Sequence, residues 1–391
     1  MAAIGYRQLK PELLQFLEAR QNSLKILKTT TTPVGQMLDW VPIETQHPEG
    51  KVPSPPPTVS LAVRSANEEK PVSAARLELE DQTIERGPAG TVPIVRPDFS
   101  KLTRTIALND YATKRGGVAV NKLRPNRSPA DPNPFGYFHA ISSQNAKVYG
   151  CDGFLSVWDP SINNPAGPGD DHSIMQTWLQ NYDKPQTQSI EAGWTVDRNL
   201  NGDTVAHVFT YYTTNGYSKD GNNLGGYNRL YSGWAQYSSW LFPGIRINGA
   251  STQGGQQLGI SLKYQWWQGN VWFAVQGVWA GYYPGSLFNG GIMNGAEWVG
   301  FGGEVYSSLA NPAQTKDQMG SGRQAQDGWT KAAFQINLRN QSDLNGTMVN
   351  HNGTAETDTA TGSGANPYDI QMHMNSGSSW GSYFYVGGPT P

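Results

Sequence analysis

Only four glutamates occur in the last two thirds of this 391-residue chain, and two of them sit where a strand would aim them into acid–base chemistry. Across residues 131–391 the four are Glu191, Glu297, Glu304 and Glu356. Many aspartates of the same stretch stand in turn-like segments, such as Asp159, Asp170, Asp171 and Asp220, where a short carboxylate bonds the local backbone. Glu191 belongs to Ser189-Ile190-Glu191-Ala192-Gly193-Trp194-Thr195-Val196. With a period of two, Ile190, Ala192, Trp194 and Val196 share one face of a strand, and Glu191, Gly193 and Thr195 the other. Glu304 repeats the arrangement in Phe301-Gly302-Gly303-Glu304-Val305-Tyr306, where Phe301 and Val305 face one way and Glu304 and Tyr306 the other. Gly193 is expected to leave room beside Glu191, and Gly302 with Gly303 to clear space and allow a bulge. Glu297 is at odd spacing from Glu304 and falls on the opposite face of a regular strand.

Two glutamates on the polar face of one sheet suit general acid–base work. Like charges held close do not ionise together, so one carboxyl keeps its proton to higher pH while the other accepts one. Such a pair serves a water-activating peptidase or a glycosidase. Aromatic runs accompany it, at Tyr211-Tyr212, Trp266-Trp267 and Tyr282-Tyr283-Pro284. Their rings suit stacking on sugars or on proline. The residue pattern leaves three readings open: a peptidase, a glycoside-cleaving β-sandwich enzyme, and a non-catalytic glycan- or cell-wall-binding module.

Other chemistries are poorly supplied. Gly377-Ser378-Ser379-Trp380-Gly381 matches a nucleophile-elbow spacing, but that elbow needs a strand before it and a helix after it. Here a polar stretch precedes it and the strand-like Tyr383-Phe384-Tyr385-Val386 follows, so a Ser/Gly loop is expected. Asp197-Arg198-Asn199-Leu200-Asn201-Gly202 opens like a calcium loop, yet the closing position holds Val208, so a hairpin turn fits better. Six histidines are scattered without metal spacing, and Cys151 is the lone cysteine, so no disulfide, metal or other cofactor is expected. A net charge of −2 argues against nucleic-acid binding. No apolar run approaches a membrane span, and the N-terminus, broken by Arg7, Lys10 and Glu12, lacks the apolar core of a signal peptide.

The elements that must carry the pair are strands. Gly 45 and Pro 26, with 11% aromatic and 15% charged residues, read as a many-stranded β protein and exclude a long helical bundle. Strands are expected at 147–158, 188–197, 205–213, 229–237, 258–266, 271–279, 298–307, 331–338, 369–374 and 382–386, with turns at Asn201-Gly202, Asp220-Gly221 and Asn289-Gly290. The fold class is all-β, an antiparallel β-sandwich with a smaller N-terminal domain. Residues 9–28 read as an amphipathic docking helix through Leu13, Leu14, Leu17, Leu24 and Leu27. Extended linkers are expected at Val52–Pro57 and at 121–136, the latter holding Pro125, Pro129, Pro132 and Pro134. Residues 1–130 carry 18 basic and 13 acidic side chains, net +5, and residues 131–391 carry 11 and 18, net −7. Opposite charge favours docking of the front piece on the body.

Several segments, in order, resemble the neprosin family of glutamic peptidases. They are Val148-Tyr149-Gly150 through Val157-Trp158-Asp159-Pro160, Ile190-Glu191-Ala192-Gly193-Trp194-Thr195-Val196, Phe209-Thr210-Tyr211-Tyr212-Thr213 with Gly216-Tyr217, Gly226-Tyr227-Asn228 to Ser232-Gly233, Gly281-Tyr282-Tyr283-Pro284 with Leu287-Phe288, Gly302-Gly303-Glu304-Val305, Met319-Gly320-Ser321-Gly322 and Trp380 through Pro389. The resemblance implies a secreted, acid-active zymogen whose N-terminal segment inhibits a catalytic β-sandwich. It places an inhibitory region at 1–130 and the catalytic domain at 135–391. It implies Glu191 and Glu304 as a catalytic dyad, Trp194, Tyr211, Tyr212, Tyr282 and Tyr283 around the substrate, a protein substrate rich in proline, and cleavage after proline.

Overall fold

Alternating apolar residues fold the chain into two facing antiparallel sheets, and glutamates on one of them point away from the shared core. The computed structural model describes residues 11–46, 54–58, 70–97, 136–162, 171–182, 186–309, 314–357 and 366–389. The expected connector at 121–136 lies outside the described residues except for Gly136.

The first sheet has seven strands, in the order Gly225–Tyr227, His207–Thr213, Gln188–Asp197, His172–Asn181, Ala296–Tyr306, Tyr137–Val148 and Thr354–Thr357. All of its pairings are antiparallel. The second sheet is built around Leu258–Trp267, Gly150–Ser156 and Ala333–Gln341, flanked by Asn270–Val275 and Val278–Pro284 on one side and Tyr383–Gly387 and Asp369–His373 on the other. Between the sheets Ile190, Ala192, Trp194 and Val196 meet Ile260, Leu262, Tyr264 and Phe273, all buried in one cluster. Hydrogen bonds stitch the layers, among them Trp194 Nε1 donating to the carbonyl of Ser156 at 2.8 Å, the Tyr264 hydroxyl to the carbonyl of Glu191 at 2.9 Å, and the Gln335 amide to the carbonyls of Gln176 and Gly302 at 3.2 Å each.

Most expected strands appear, some with shifted ends. Residues 229–237 are a correction: only Ala235–Gln236 is strand there, because Tyr231-Ser232-Gly233 turns the chain. The strands Tyr137–Val148 and His172–Asn181 include long stretches that the pattern did not indicate. The Asp197 segment forms one capped helical turn, Arg198–Asn201, inside the expected hairpin; Asp197 accepts from the amides of Asn199 and Leu200, and Gly202 closes it at φ 82°.

The N-terminal region packs against both layers. Its three-stranded sheet joins Lys28–Thr31, Met37–Pro42 and Thr91–Arg96. Leu38, Trp40, Ala75, Leu77 and Leu79 enter the body's core cluster, and Ser73–Ala74 extends the second sheet beside Leu258–Trp267. This contact is apolar at its centre, so it draws on more than the charge complementarity read from composition.

Candidate active site

Register puts both glutamates on one face. Glu191 lies opposite Trp178, and Trp178 opposite Gly300; Glu304 lies opposite Ile174, and Ile174 opposite Thr195. Directly opposed residues share a face. Glu191, Thr195, Ile174, Trp178, Gly300 and Glu304 therefore all project to the side away from the inter-sheet core. Both glutamate side chains are fully buried.

The two carboxyls have different company. Glu191 Oε1 accepts from the Tyr217 hydroxyl at 2.6 Å and the Ser189 hydroxyl at 2.8 Å. Burial, and then the charge of Glu191, hold the Tyr217 phenol well above its ordinary range, so it stays a donor. Gln180 donates to the same Tyr217 oxygen at 3.1 Å. Glu304 Oε2 lies 3.1 Å from His139 Nε2 and accepts from the Gln176 amide at 3.2 Å, while its Oε1 lies 3.6 Å from His172 Nε2. Asp197 stands 3.9 Å beyond His172, at the ring's Nδ1. Burial raises the Asp197 carboxyl, and His172 opposes that shift.

The chain's own N-terminal helix, Pro11–Ser23, roofs this face. Its Leu13 and Leu17 are buried in one apolar cluster with Ile141, Ile174, Trp178, Phe209, Tyr211, Tyr227 and Trp298. Phe16 packs on Tyr231 with ring centroids 5.0 Å apart, and Arg20 Nε donates to the carbonyl of Arg229 at 3.1 Å. Two buried leucines hold the helix with roughly 3–6 kcal/mol of apolar burial. Tyr227, on the edge strand four strands from Glu304, is raised well above the ordinary phenol range by burial and then by Glu304, Tyr137, Asp197 and Glu191, so its hydroxyl senses both glutamates.

The glycines act differently from expectation. A Cβ on Gly193 would stand 1.9 Å from the carbonyl oxygen of Met175, and one on Gly302 2.4 Å from that of Ala140. They permit close approach of neighbouring backbone instead of leaving open space. The register runs unbroken from Trp298 to Tyr306, and the irregularity falls at Ala296–Trp298. Glu297 sits in that irregularity and accepts from the Tyr182 amide at 3.3 Å.

Of the five aromatics expected around the substrate, Tyr211 alone shares the glutamate face, paired opposite Glu191. Its hydroxyl donates to Asp220 at 2.8 Å. Trp194, Tyr212 and Tyr283 lie in the core between the sheets, and Tyr282 belongs to a separate cluster with Trp272 and Trp279. The physical reason is volume. Large rings at inward positions fill the space between two sheets, and period two already sets Trp194 opposite to Glu191. Residues that the sequence reading missed are His139, His172, Gln176 and Ser189; Tyr217 and Tyr227 lay in segments carrying the family resemblance but were given no role at the site. Ser189 and Glu191, two apart on one strand, carried a period-two signal; the histidines carried none, being far apart in sequence. Among the described residues no cluster of three or more His, Cys, Asp or Glu side chains is arranged to hold a metal ion, and no helix is long and apolar enough to cross a membrane.

Comparison with known proteins adds a family. The neprosin family model matches residues 169–389. Among solved structures, scytalido-glutamic peptidase with a transition state analog inhibitor is similar at 12% identity, covering 64% of this chain and 97% of its own, with a TM-score of 0.34. CG-16, a homodimeric agglutinin from chicken liver, is similar at 10% identity, covering 43% of this chain and 93% of its own, with a TM-score of 0.23. A β-porphyranase from the gut bacterium Bacteroides plebeius is similar at 10% identity, covering 46% of this chain and 57% of its own, with a TM-score of 0.17. Structural likeness at these scores carries no argument about chemistry.

Proposed function

Because the chain belongs to the neprosin family, a family of glutamic-type peptidases, we propose that it is an endopeptidase made as a zymogen, with Glu191 and Glu304 as its acid–base pair. The observation that carries this reading is the shared, buried face of the two glutamates, roofed by the chain's own helix through Leu13 and Leu17. A carboxylate-bearing face covered by the buried leucines of the chain's own helix is what a self-blocked cleft requires.

In the reaction one ionised carboxylate takes a proton from water as the water oxygen bonds the scissile carbonyl carbon. The protonated partner hydrogen-bonds the carbonyl oxygen and then protonates the departing amine. Acid favours the singly protonated pair. The substrate is an extended polypeptide, cut after proline, and Tyr211 and Tyr227 on the glutamate face offer flat rings for a proline to stack against. The N-terminal region is the inhibitor and residues from 135 onward the catalytic domain, released to the cell exterior.

Mapping cleavage sites in a proteome digested at about pH 4, near the carboxylate reference values, tests the reading. Cuts enriched after proline are expected. Cleavage of a polysaccharide panel with no proteolysis would replace the peptidase by a glycosidase.

A further inference from the structure

The two carboxyls of the proposed pair differ in the charge set against them. Glu304 is the direct cross-strand partner of His139, with Nε2 3.1 Å from Oε2. A second imidazole, of His172, stands 3.6 Å from Oε1. His172 is itself backed by Asp197 at 3.9 Å and lies flat against Tyr306, centroids 5.6 Å apart. The rings of His139 and His172 both neighbour Tyr137, with centroids at 6.5 and 6.0 Å. All of these side chains are buried or nearly so. Glu191, in contrast, receives hydroxyl donors from Tyr217 and Ser189.

We propose that His139 and His172 are positioning residues that hold Glu304 as the ionised, proton-accepting member of the pair in acid, which leaves Glu191 as the proton donor. This rests on the peptidase reading above. A protonated imidazole within about 4–6 Å favours the ionised carboxylate, and both rings stand within that reach of Glu304. The other titratable groups facing Glu304 do not cancel this. Asp197 stands at the Nδ1 side of His172, where each opposite charge favours the other; Tyr137 and Tyr306 meet the imidazoles with their rings, and burial holds the Tyr227 phenol well above its ordinary range. On the helix above, Glu12 and Glu18 are exposed, and Leu13 and Leu17 are the side chains buried against the face. The protons balance. Water's oxygen bonds the carbonyl carbon and its proton passes to Glu304. The C–N bond breaks as nitrogen takes the Glu191 proton. The proton on Glu304 then returns to Glu191 through water, restoring the pair and releasing one carboxylic acid and one amine.

The test is carboxyl titration by NMR of the full chain labelled with 13C at glutamate Cδ, the two signals assigned with Glu191→Gln and Glu304→Gln. The expected result is a Glu304 midpoint below that of Glu191. His139→Gln and His172→Gln should each move the Glu304 midpoint up by about one unit or more. The acid limb of kcat/KM on an unstructured peptide should rise with it, with roughly tenfold loss at pH 4 and little at pH 6. A Glu304 midpoint above that of Glu191, or midpoints unmoved in both histidine variants, overturns the assignment. A uniform loss at every pH with unmoved midpoints marks the histidines as structural and overturns it too. Full cleavage by both Glu191→Gln and Glu304→Gln would instead sink the acid–base reading of the pair on which the assignment rests, and the titration is read independently of activity.

Discussion

Glu304 stands four residues along its strand from Gly300, the residue level with Glu191 across the intervening strand. On a flat sheet the two glutamates would be about 10 Å apart across the strands and about 13 Å along them. One water does not span that offset. Acting on a single peptide bond takes the twist of the sheet and the reach of both side chains. Reach should therefore matter as much as charge. Glu191→Gln and Glu304→Gln are each expected to abolish cleavage while thermal midpoints stay within a few degrees. Glu191→Asp and Glu304→Asp, one methylene shorter, should each lose about a hundredfold in kcat. Aspartate variants with near-normal kcat would show that neither side chain works at full stretch.

The roof is held by Leu13 and Leu17, and truncating them should open it. Each buried Leu→Ala change costs about 2–5 kcal/mol. The double variant is expected to raise peptide cleavage by the unprocessed chain at pH 6 at least tenfold. The same double change on a Glu191→Gln background should stay inactive. Unchanged activity in the double variant would mean that the helix does not block the cleft.

Maturation should leave a defined product. The segment 121–136 carries Pro125, Pro129, Pro132 and Pro134. Incubation of the full chain at about pH 4 should yield a fragment beginning between Asn126 and Phe135, read by N-terminal sequencing. Purified Glu191→Gln should remain full length. Equal processing of that variant without added protease rules out self-cleavage.

Acid should also weaken the fold at His351, on the core side of the strand that carries Glu304. Burial pushes the His351 imidazole down to about 4 from 6.5. It packs edge-on to Phe301, and its Nε2 meets the Ser142 hydroxyl at 2.9 Å. A folded value below the unfolded one gives stability that is complete above about pH 6.5 and lost as pH falls through about 4. The contribution is about 3 kcal/mol. His351→Gln should therefore lose less stability between pH 7 and pH 4 than the wild type, measured as the shift in urea midpoint. An equal loss in both would remove His351 from the acid response.

The strand bearing Glu191 was legible because its two faces differ. Ile190, Ala192, Trp194 and Val196 alternate with smaller or polar partners, and the strand spans Gln188–Asp197, close to where that alternation begins and ends. The face of Glu304 followed from the same period. The neighbouring strand His172–Asn181 was invisible for the opposite reason. All ten of its residues are buried, so no polar face marks it, although it supplies Gln176, Trp178 and His172. Local pattern also set the opening helix, whose leucines imply a docking face without saying what lies beneath.

The amino-acid order alone thus determined which residue types each strand sets on each face, because side-chain direction in a strand alternates whatever surrounds it. Register and cover were decided by the tertiary structure. Cross-strand pairing brings His139 to Glu304 from 165 residues away. Packing between sheets draws Trp194, Tyr212 and Tyr283 inward. The helix from Pro11 to Ser23 closes over two carboxylates it never meets in sequence. Contacts at such separations depend on how whole layers stack and on which large side chains fill the space between them, and no short stretch of sequence encodes either.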